Sequence, residues 1–244
     1  MDRAQSRTAI VTGAGKRVGA VVARALLDDG WQVVAHVHHN EDVVPDGAVK
    51  IVADLSHASC AEIIFGAASD LPQVALLVNN AARFAEDGFA RFSTSEFDAH
   101  MAVNARAPIL LIEAFAKIAA PGSLVVNLLD AKLAAPNADF LSYTLSKQAL
   151  AGLTELAARS LAAKGIRVNG IAPALMLLSG AQEIGNFERS HALNPLGVGI
   201  VPDDVVRALR YLIEACGVTG EIMTIDGGQR FMQLARDVQF LERR

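Results

Sequence analysis

The stretch Thr8-Ala9-Ile10-Val11-Thr12-Gly13-Ala14-Gly15-Lys16-Arg17-Val18-Gly19 leads from a short apolar run, through a glycine-rich turn, into an Ala- and Val-rich segment. Thr8 to Thr12 reads as a strand and Val18 to Asp29 as a helix. Glycines at such a junction permit a tight turn and let the backbone approach a pyrophosphate, which the positive end of the helix favours. The order strand, glycine turn, helix therefore predicts a dinucleotide site; a purely structural turn is the other reading.

Working outward, the alternation continues. Gln32 to Val37, Val49 to Ala53, Val74 to Val78, Ser123 to Leu129, Gly165 to Ile171 and Glu221 to Ile225 read as further strands. Helical stretches lie between them at Ala58 to Ser69, Thr94 to Ala119, Ser142 to Ala163 and Asp203 to Ala215. Strands that are apolar along most of their length, separated by helices, predict a seven-stranded parallel sheet covered on both faces, a doubly wound Rossmann-type α/β fold. No linker, repeat or low-complexity segment interrupts residues 1–244, so a single domain is expected. The least regular interior stretch is Pro173 to Val201, with Gly180, Gly185, Gly197 and Gly199; a loop of that length is either a lid over a site or disordered.

The chain is 52% hydrophobic and 20% charged, enough for a sizeable core, and its net charge of -4 makes no electrostatic case for nucleic acid or an anionic membrane. Cys60 and Cys216 lie far apart with no metal-ligand spacing around them, so no metal is expected and a reduced, cytoplasmic protein is the simplest account. The opening Met1 to Arg7 is polar, without the pattern of a signal peptide, and no apolar run reaches the roughly 18 residues that span a bilayer.

The second strand ends Ala35-His36-Val37-His38-His39-Asn40, with no acid at the position that commonly holds a ribose 2′-hydroxyl; Glu41 and Asp42 fall further out. Arg17 in the turn, with His36, His38 and His39 beside it, suits an added 2′-phosphate, which favours NADP(H) over NAD(H). A solvated strand end is the alternative for the histidines. If His39 meets the phosphate, its charge changes near neutrality, and NADPH affinity weakens from pH 6 to pH 8 more than NADH affinity does.

Later in the chain, Tyr143-Thr144-Leu145-Ser146-Lys147 sets a phenol and an ammonium one helical turn apart on a single helix face. Asp130 closes the apolar run Ser123 to Leu129 and delivers a carboxyl toward that face. A Tyr becomes a useful acid–base group beside a cation, whereas an ionised Asp nearby raises its pKa and disfavours alcohol oxidation. Two proton donors suit reduction, above all of a C=N bond whose nitrogen gains a proton as hydride arrives.

Taken together, these pieces resemble the short-chain dehydrogenase/reductase family over nearly the whole chain. The resemblance rests on the Thr12-Gly13 turn, Asp54-Leu55, Asn79-Asn80-Ala81 and Asn104 in Val103-Asn104-Ala105. It also rests on Tyr143/Lys147, on Arg167-Val168-Asn169 leading to Pro173, and on Asp226-Gly227-Gly228. It implies a cofactor site that includes Gly13, Val18, Gly19 and Pro173. Asp54 and Leu55 would flank adenine, Asn80 and Ala81 would line the adenosine side, and Lys147 would hold the nicotinamide ribose. Tyr143 would exchange the proton and Asn104 would hold a relay water.

The chain departs from the family pattern where Asp130 replaces the usual Ser, Arg17 the middle glycine and Ala82 the Gly after Asn-Asn-Ala; Ala174 likewise follows Pro173 where Gly is usual. With Phe84, the first three departures resemble the pteridine reductase branch, which includes dihydromonapterin-type reductases. They imply that Arg17, Phe84, Asp130 and Tyr143 touch a small-molecule substrate, with Phe84 stacking on a flat ring for roughly 1 kcal/mol beyond its area burial. Phe84 as a packing residue and Asp130 as a replacement in an inactive site are the competing readings. A carbonyl reductase of a small ketone or aldehyde and a non-catalytic dinucleotide sensor are the alternative functions. The family also implies a homotetramer, while the tail from Gln229 to Arg244 either reaches a neighbouring subunit or frays.

Overall fold

A computed structural model describes residues 7–178 and 183–241. Gly180, most of the Met1 to Arg7 segment and the last residues of the tail lie outside the described residues. Seven parallel strands form one sheet in the order β3-β2-β1-β4-β5-β6-β7. They are β1 (Thr8–Val11), β2 (Gln32–Val37), β3 (Val49–Val52), β4 (Val74–Asn79), β5 (Leu124–Leu128), β6 (Arg167–Pro173) and β7 (Ile222–Ile225). The helices are α1 (Arg17–Asp28), α2 (Cys60–Gly66), α3 (Thr94–Met101), α4 (Ala107–Ile118), α5 (Leu141–Leu161), α6 (Ile184–His191) and α7 (Pro202–Glu214). The expected Rossmann-type architecture is the one found.

The sheet carries two apolar layers because its central strands are buried on both faces. Alternate residues of β1 point opposite ways. Ala9 and Val11 join Val22 and Leu26 of α1 and Leu209 of α7, while Ile10 joins Leu111 and Phe115 of α4 and Leu161 of α5. Trp31 packs in the first layer beside β2, with the Arg7 guanidinium 4.4 Å above its ring. Strand order reverses between β1 and β4, and at such a switch point the loops leaving the carboxyl ends part into a crevice.

Three sequence expectations change. The helical stretch expected from Thr94 to Ala119 is present but carries a π-helical turn at Ala102–Arg106, and such turns insert one residue into the hydrogen-bond ladder. The stretch Pro173 to Val201 is not irregular throughout, since it contains α6. The described part of the tail does not fray. Short 3₁₀ turns at Gln229–Met232 and Val238–Phe240 carry it back along its own chain.

Candidate active site

A cleft of about 890 Å³ opens at the carboxyl ends of the strands, lined from the Gly13 turn at one end to Phe84, Asp130, Tyr143 and Gln239 at the other. That volume is in the range of a cofactor or drug-sized ligand pocket.

At the first end, Gly13 has φ +66°, and a Cβ on Gly19 would stand 2.0 Å from the Gly13 carbonyl oxygen, so the close crossing of turn and helix requires glycine at both positions. Asn80 holds the turn from β4: its amide nitrogen donates to the carbonyls of Thr12 at 2.8 Å and Gly13 at 3.2 Å. The backbone N–H groups of Asn80 and Ala81 both donate to Thr12 Oγ1 at 3.0 Å. His36 is turned inward. Its Nδ1 accepts from the Gly13 N–H at 3.2 Å, and its Nε2 lies 3.0 Å from the Ala53 carbonyl, so the ring is neutral with the proton on Nε2. Burial lowers its pKa. With both nitrogens engaged by backbone, His36 shapes the turn and has no spare N–H for a phosphate.

Arg17 occupies the left-handed region at φ +54°, a conformation that costs a non-glycine residue roughly 1–2 kcal/mol. Its guanidinium donates to the Leu178 carbonyl and, at 3.4 Å, to the Leu177 carbonyl, tying the turn to the loop after β6. Val18 lines the cleft one residue on.

Beyond β2 and β3 the cleft is walled by His38, His39, Asp54 and Leu55. The His38 and His39 rings meet edge-to-face at 4.2 Å. Asp54 accepts the Ser56 N–H at 2.8 Å, which lowers its pKa. Asp42 lies closer than its place in the sequence implied: the chain turns back, and its carboxylate accepts the His39 N–H at 3.1 Å from the cleft wall. That bond holds Asp42 below its ordinary pKa.

At the other end, the Tyr143 hydroxyl donates to Asp130 Oδ2 at 2.9 Å, and the Lys132 N–H donates to Asp130 Oδ1 at 2.8 Å. Burial pushes the Asp130 carboxyl up, against the pull of those two bonds. Burial and then the Asp130 charge push the Tyr143 phenol well above 10. Lys147, buried on the next turn of α5, donates to the Leu128 carbonyl at 2.6 Å, and burial lowers its pKa to about 8. Burial first, and the Asp130 charge second, therefore keep the phenol protonated.

Asn104 sits in the π-helical turn. Its Oδ1 accepts from the Arg83 N–H at 2.7 Å, and its Nδ2 donates to the Arg83 carbonyl and to Ser146 Oγ, both at 2.9 Å. It splints the loop bearing Phe84 to α5. Phe84 is 38% exposed; it stacks on Phe140 at 4.5 Å and meets Tyr143 edge-on at 4.8 Å. Pro173 and Ala174 line the cleft between its two ends.

The sequence reading missed three contributors. Buried Asp87 accepts from the Ser142 N–H at 2.9 Å and from the Ser142 hydroxyl, fixing the start of α5 just ahead of Tyr143. Phe140, in the left-handed region at φ +55°, forms the stack beneath Phe84. The segment from Leu234 to Gln239 walls the end of the cleft that holds Phe84 and Tyr143, with Phe240 stacked on Phe140 at 5.4 Å. No short motif encodes these contacts, although the Asp87–Ser142 pair follows from the need to satisfy the free N–H groups at a helix start. Among the described residues no cluster of His, Cys, Asp or Glu could hold a metal, and no helix is long and apolar enough to cross a membrane.

Comparison with known proteins gives a consistent picture. Residues 13–230 match the family model described as enoyl-(acyl carrier protein) reductase. Pteridine reductase 1 of Leishmania tarentolae is 31% identical over 70% of this chain and 76% of its own length. A 3beta-hydroxysteroid dehydrogenase of Eggerthella lenta is 30% identical over 93% of this chain and 95% of its own. Among solved structures, the FolM alternative dihydrofolate reductase 1 of Brucella canis, complexed with NADP, superposes with a TM-score of 0.86 at 32% identity, covering 92% of this chain and 94% of that one.

Proposed function

Given that the chain belongs to the short-chain dehydrogenase/reductase family, we propose that it is an NADPH-dependent reductase of a pterin-like heterocycle, of the dihydropterin or dihydrofolate kind. The observation that carries this reading is the Tyr143–Asp130 hydrogen bond at 2.9 Å beneath the part-exposed ring of Phe84. A carboxyl that holds the phenol protonated favours donating protons over accepting them. The NADP-bound FolM structure and the pteridine reductase relative support the same substrate class.

The cleft suits the dinucleotide. Gly13 and Gly19 let the turn cross close against the start of α1, and a helix N-terminus favours phosphate. Gly13, Val18, Gly19, Asn80, Ala81 and Pro173 would line its path, Asp54 and Leu55 its adenine end, and Lys147 the nicotinamide ribose. His38 and His39, with Arg17 released from the Leu177 and Leu178 carbonyls, would meet the 2′-phosphate. Asp42 on the same wall opposes that phosphate, so selectivity for NADPH over NADH rests on the cations outweighing one carboxylate. When bound, the nicotinamide supplies the hydride. Phe84 holds the heterocycle flat, and the Tyr143–Asp130 pair delivers the proton to the nitrogen of the reduced C=N bond. Lys147 orients, and Asn104 keeps loop and helix in register. The family suggests a homotetramer, and the two free cysteines suit a reducing, cytoplasmic compartment.

The steroid dehydrogenase relative favours a second reading, reduction of a carbonyl. One assay separates the two: NADPH consumption by the purified protein with a dihydropterin and, in parallel, a panel of small ketones. Turnover of the dihydropterin, lost in Asp130→Ala and in Tyr143→Phe with NADPH binding retained, is expected. Turnover of ketones alone rejects the pterin reading.

A further inference from the structure

The C-terminal segment walls the end of the cleft that holds Phe84, Asp130 and Tyr143, and its attachments are specific. Lys132 follows Asp130 by two residues; its side chain is 9% exposed and its Nζ lies 3.5 Å from Asp237 Oδ2, a carboxylate that is 16% exposed. The same ammonium donates to the Asp139 carbonyl at 2.5 Å. Asp139 in turn accepts the Asp237 N–H at 2.7 Å and the Arg236 Nε–H at 2.9 Å. Phe240 extends the Phe84–Phe140 stack, and Ser190 of α6 donates to the Val238 carbonyl at 3.0 Å. Asp237, Val238 and Gln239 thus line the cavity that holds Phe84, Asp130 and Tyr143.

We propose that Asp237 is a specificity-determining residue, which receives hydrogen bonds from N–H groups on the edge of the heterocycle remote from the reduced bond. A carboxylate accepts up to about four hydrogen bonds, so Asp237 keeps capacity beyond the Gln239 N–H at 3.1 Å and Lys132. A part-buried carboxylate facing a ligand cavity selects donors and rejects acceptors, because an unmatched acceptor leaves both partners desolvated. The Lys132 ion pair holds the carboxylate in place, and the aromatic stack holds the segment that carries it. The ligand that fits is a flat ring bearing an amino or ring N–H edge. A plain ketone offers no such edge. Asp237 also pushes Asp130 and Tyr143 further toward their protonated forms, so the group that would read the substrate also favours the proton donors.

This inference rests on the pterin reading, and the test keeps the two apart. Steady-state kinetics would be measured for unaltered enzyme and Asp237→Asn with a 2-amino dihydropterin and with its 2-methyl analogue, which lacks the amino N–H groups. NADPH affinity would be followed by fluorescence as a check that the cleft is intact. Unaltered enzyme should show a KM for the 2-methyl analogue higher by roughly tenfold to a hundredfold, the worth of a hydrogen bond to a charged group. Asp237→Asn should lose most of that discrimination through KM for the amino substrate, with kcat changed less and NADPH affinity unchanged. Equal KM for the two substrates in the unaltered enzyme overturns the inference even if the variant fails to fold. Discrimination retained in a folded Asp237→Asn overturns it too. No turnover of any dihydropterin rejects the functional reading, and the inference falls with it.

Discussion

At the scale of single residues, the site is defined by what burial does to three ionisable groups. Lys147 is held near 8 rather than 10.5 because its ammonium is taken out of water. The unfolded chain therefore binds more protons than the folded one between those values, and stability contributed at this position rises with pH from about 8 to 10.5. Below about 8 the folded chain bears the full cost of the buried charge. Lys147→Met is accordingly expected to abolish reduction while unfolding at neutral pH no more easily than the unaltered protein. Any advantage in urea-unfolding free energy should shrink as pH is raised toward 10.5. An advantage that grew with pH would contradict the assignment. Asp130 moves the opposite way: its carboxyl is pushed up, so the acid form persists to higher pH than in an ordinary Asp and suits a donor.

At the scale of elements, two small devices set the geometry. The π-helical turn between α3 and α4 delivers Asn104 to the backbone of Arg83, and His36 pins the glycine turn to the end of β3. His36→Leu keeps the size but leaves the Gly13 N–H and the Ala53 carbonyl without their partner, at about 1–3 kcal/mol each. The expected outcome is a lower melting temperature and NADPH binding weaker by roughly tenfold, with the dihydropterin KM little changed when NADPH saturates. Unchanged NADPH affinity would mean that the turn holds its shape without the pin.

At the scale of the whole molecule, the cleft crosses the centre of the sheet, so a ligand that fills it braces both halves. Saturating ligand at about a hundred times its dissociation constant stabilises by about 2.7 kcal/mol, which for a chain of this size raises the melting temperature by roughly 5–10 °C. On the proposed contacts of Arg17, His38 and His39 with the 2′-phosphate, NADPH should produce a larger shift than NADH at equal concentration. Equal shifts would mean that Asp42 cancels the cations on that wall.

The doubly wound sheet, the glycine turn and the Tyr143–Lys147 face were legible because each is written in neighbouring residues: apolar runs, the need for glycine where turn meets helix, and the single helical turn that separates Tyr from Lys. The π-helical turn within the Thr94 to Ala119 stretch was not, because nothing in Ala102 to Arg106 marks it locally off from its helical flanks. Which of the three strand-end histidines faces inward, where Arg17 points, and that the tail lines its own cleft were decided by tertiary structure alone. The tail's partners lie about a hundred residues away in sequence, Asp237 on Lys132 and Arg236 on Asp139. No local pattern encodes a contact across such a separation. It is selected when the packed sheet brings the end of β5, the start of α5 and the residues after β7 to one side of the cleft, where a buried ammonium needs a carboxylate.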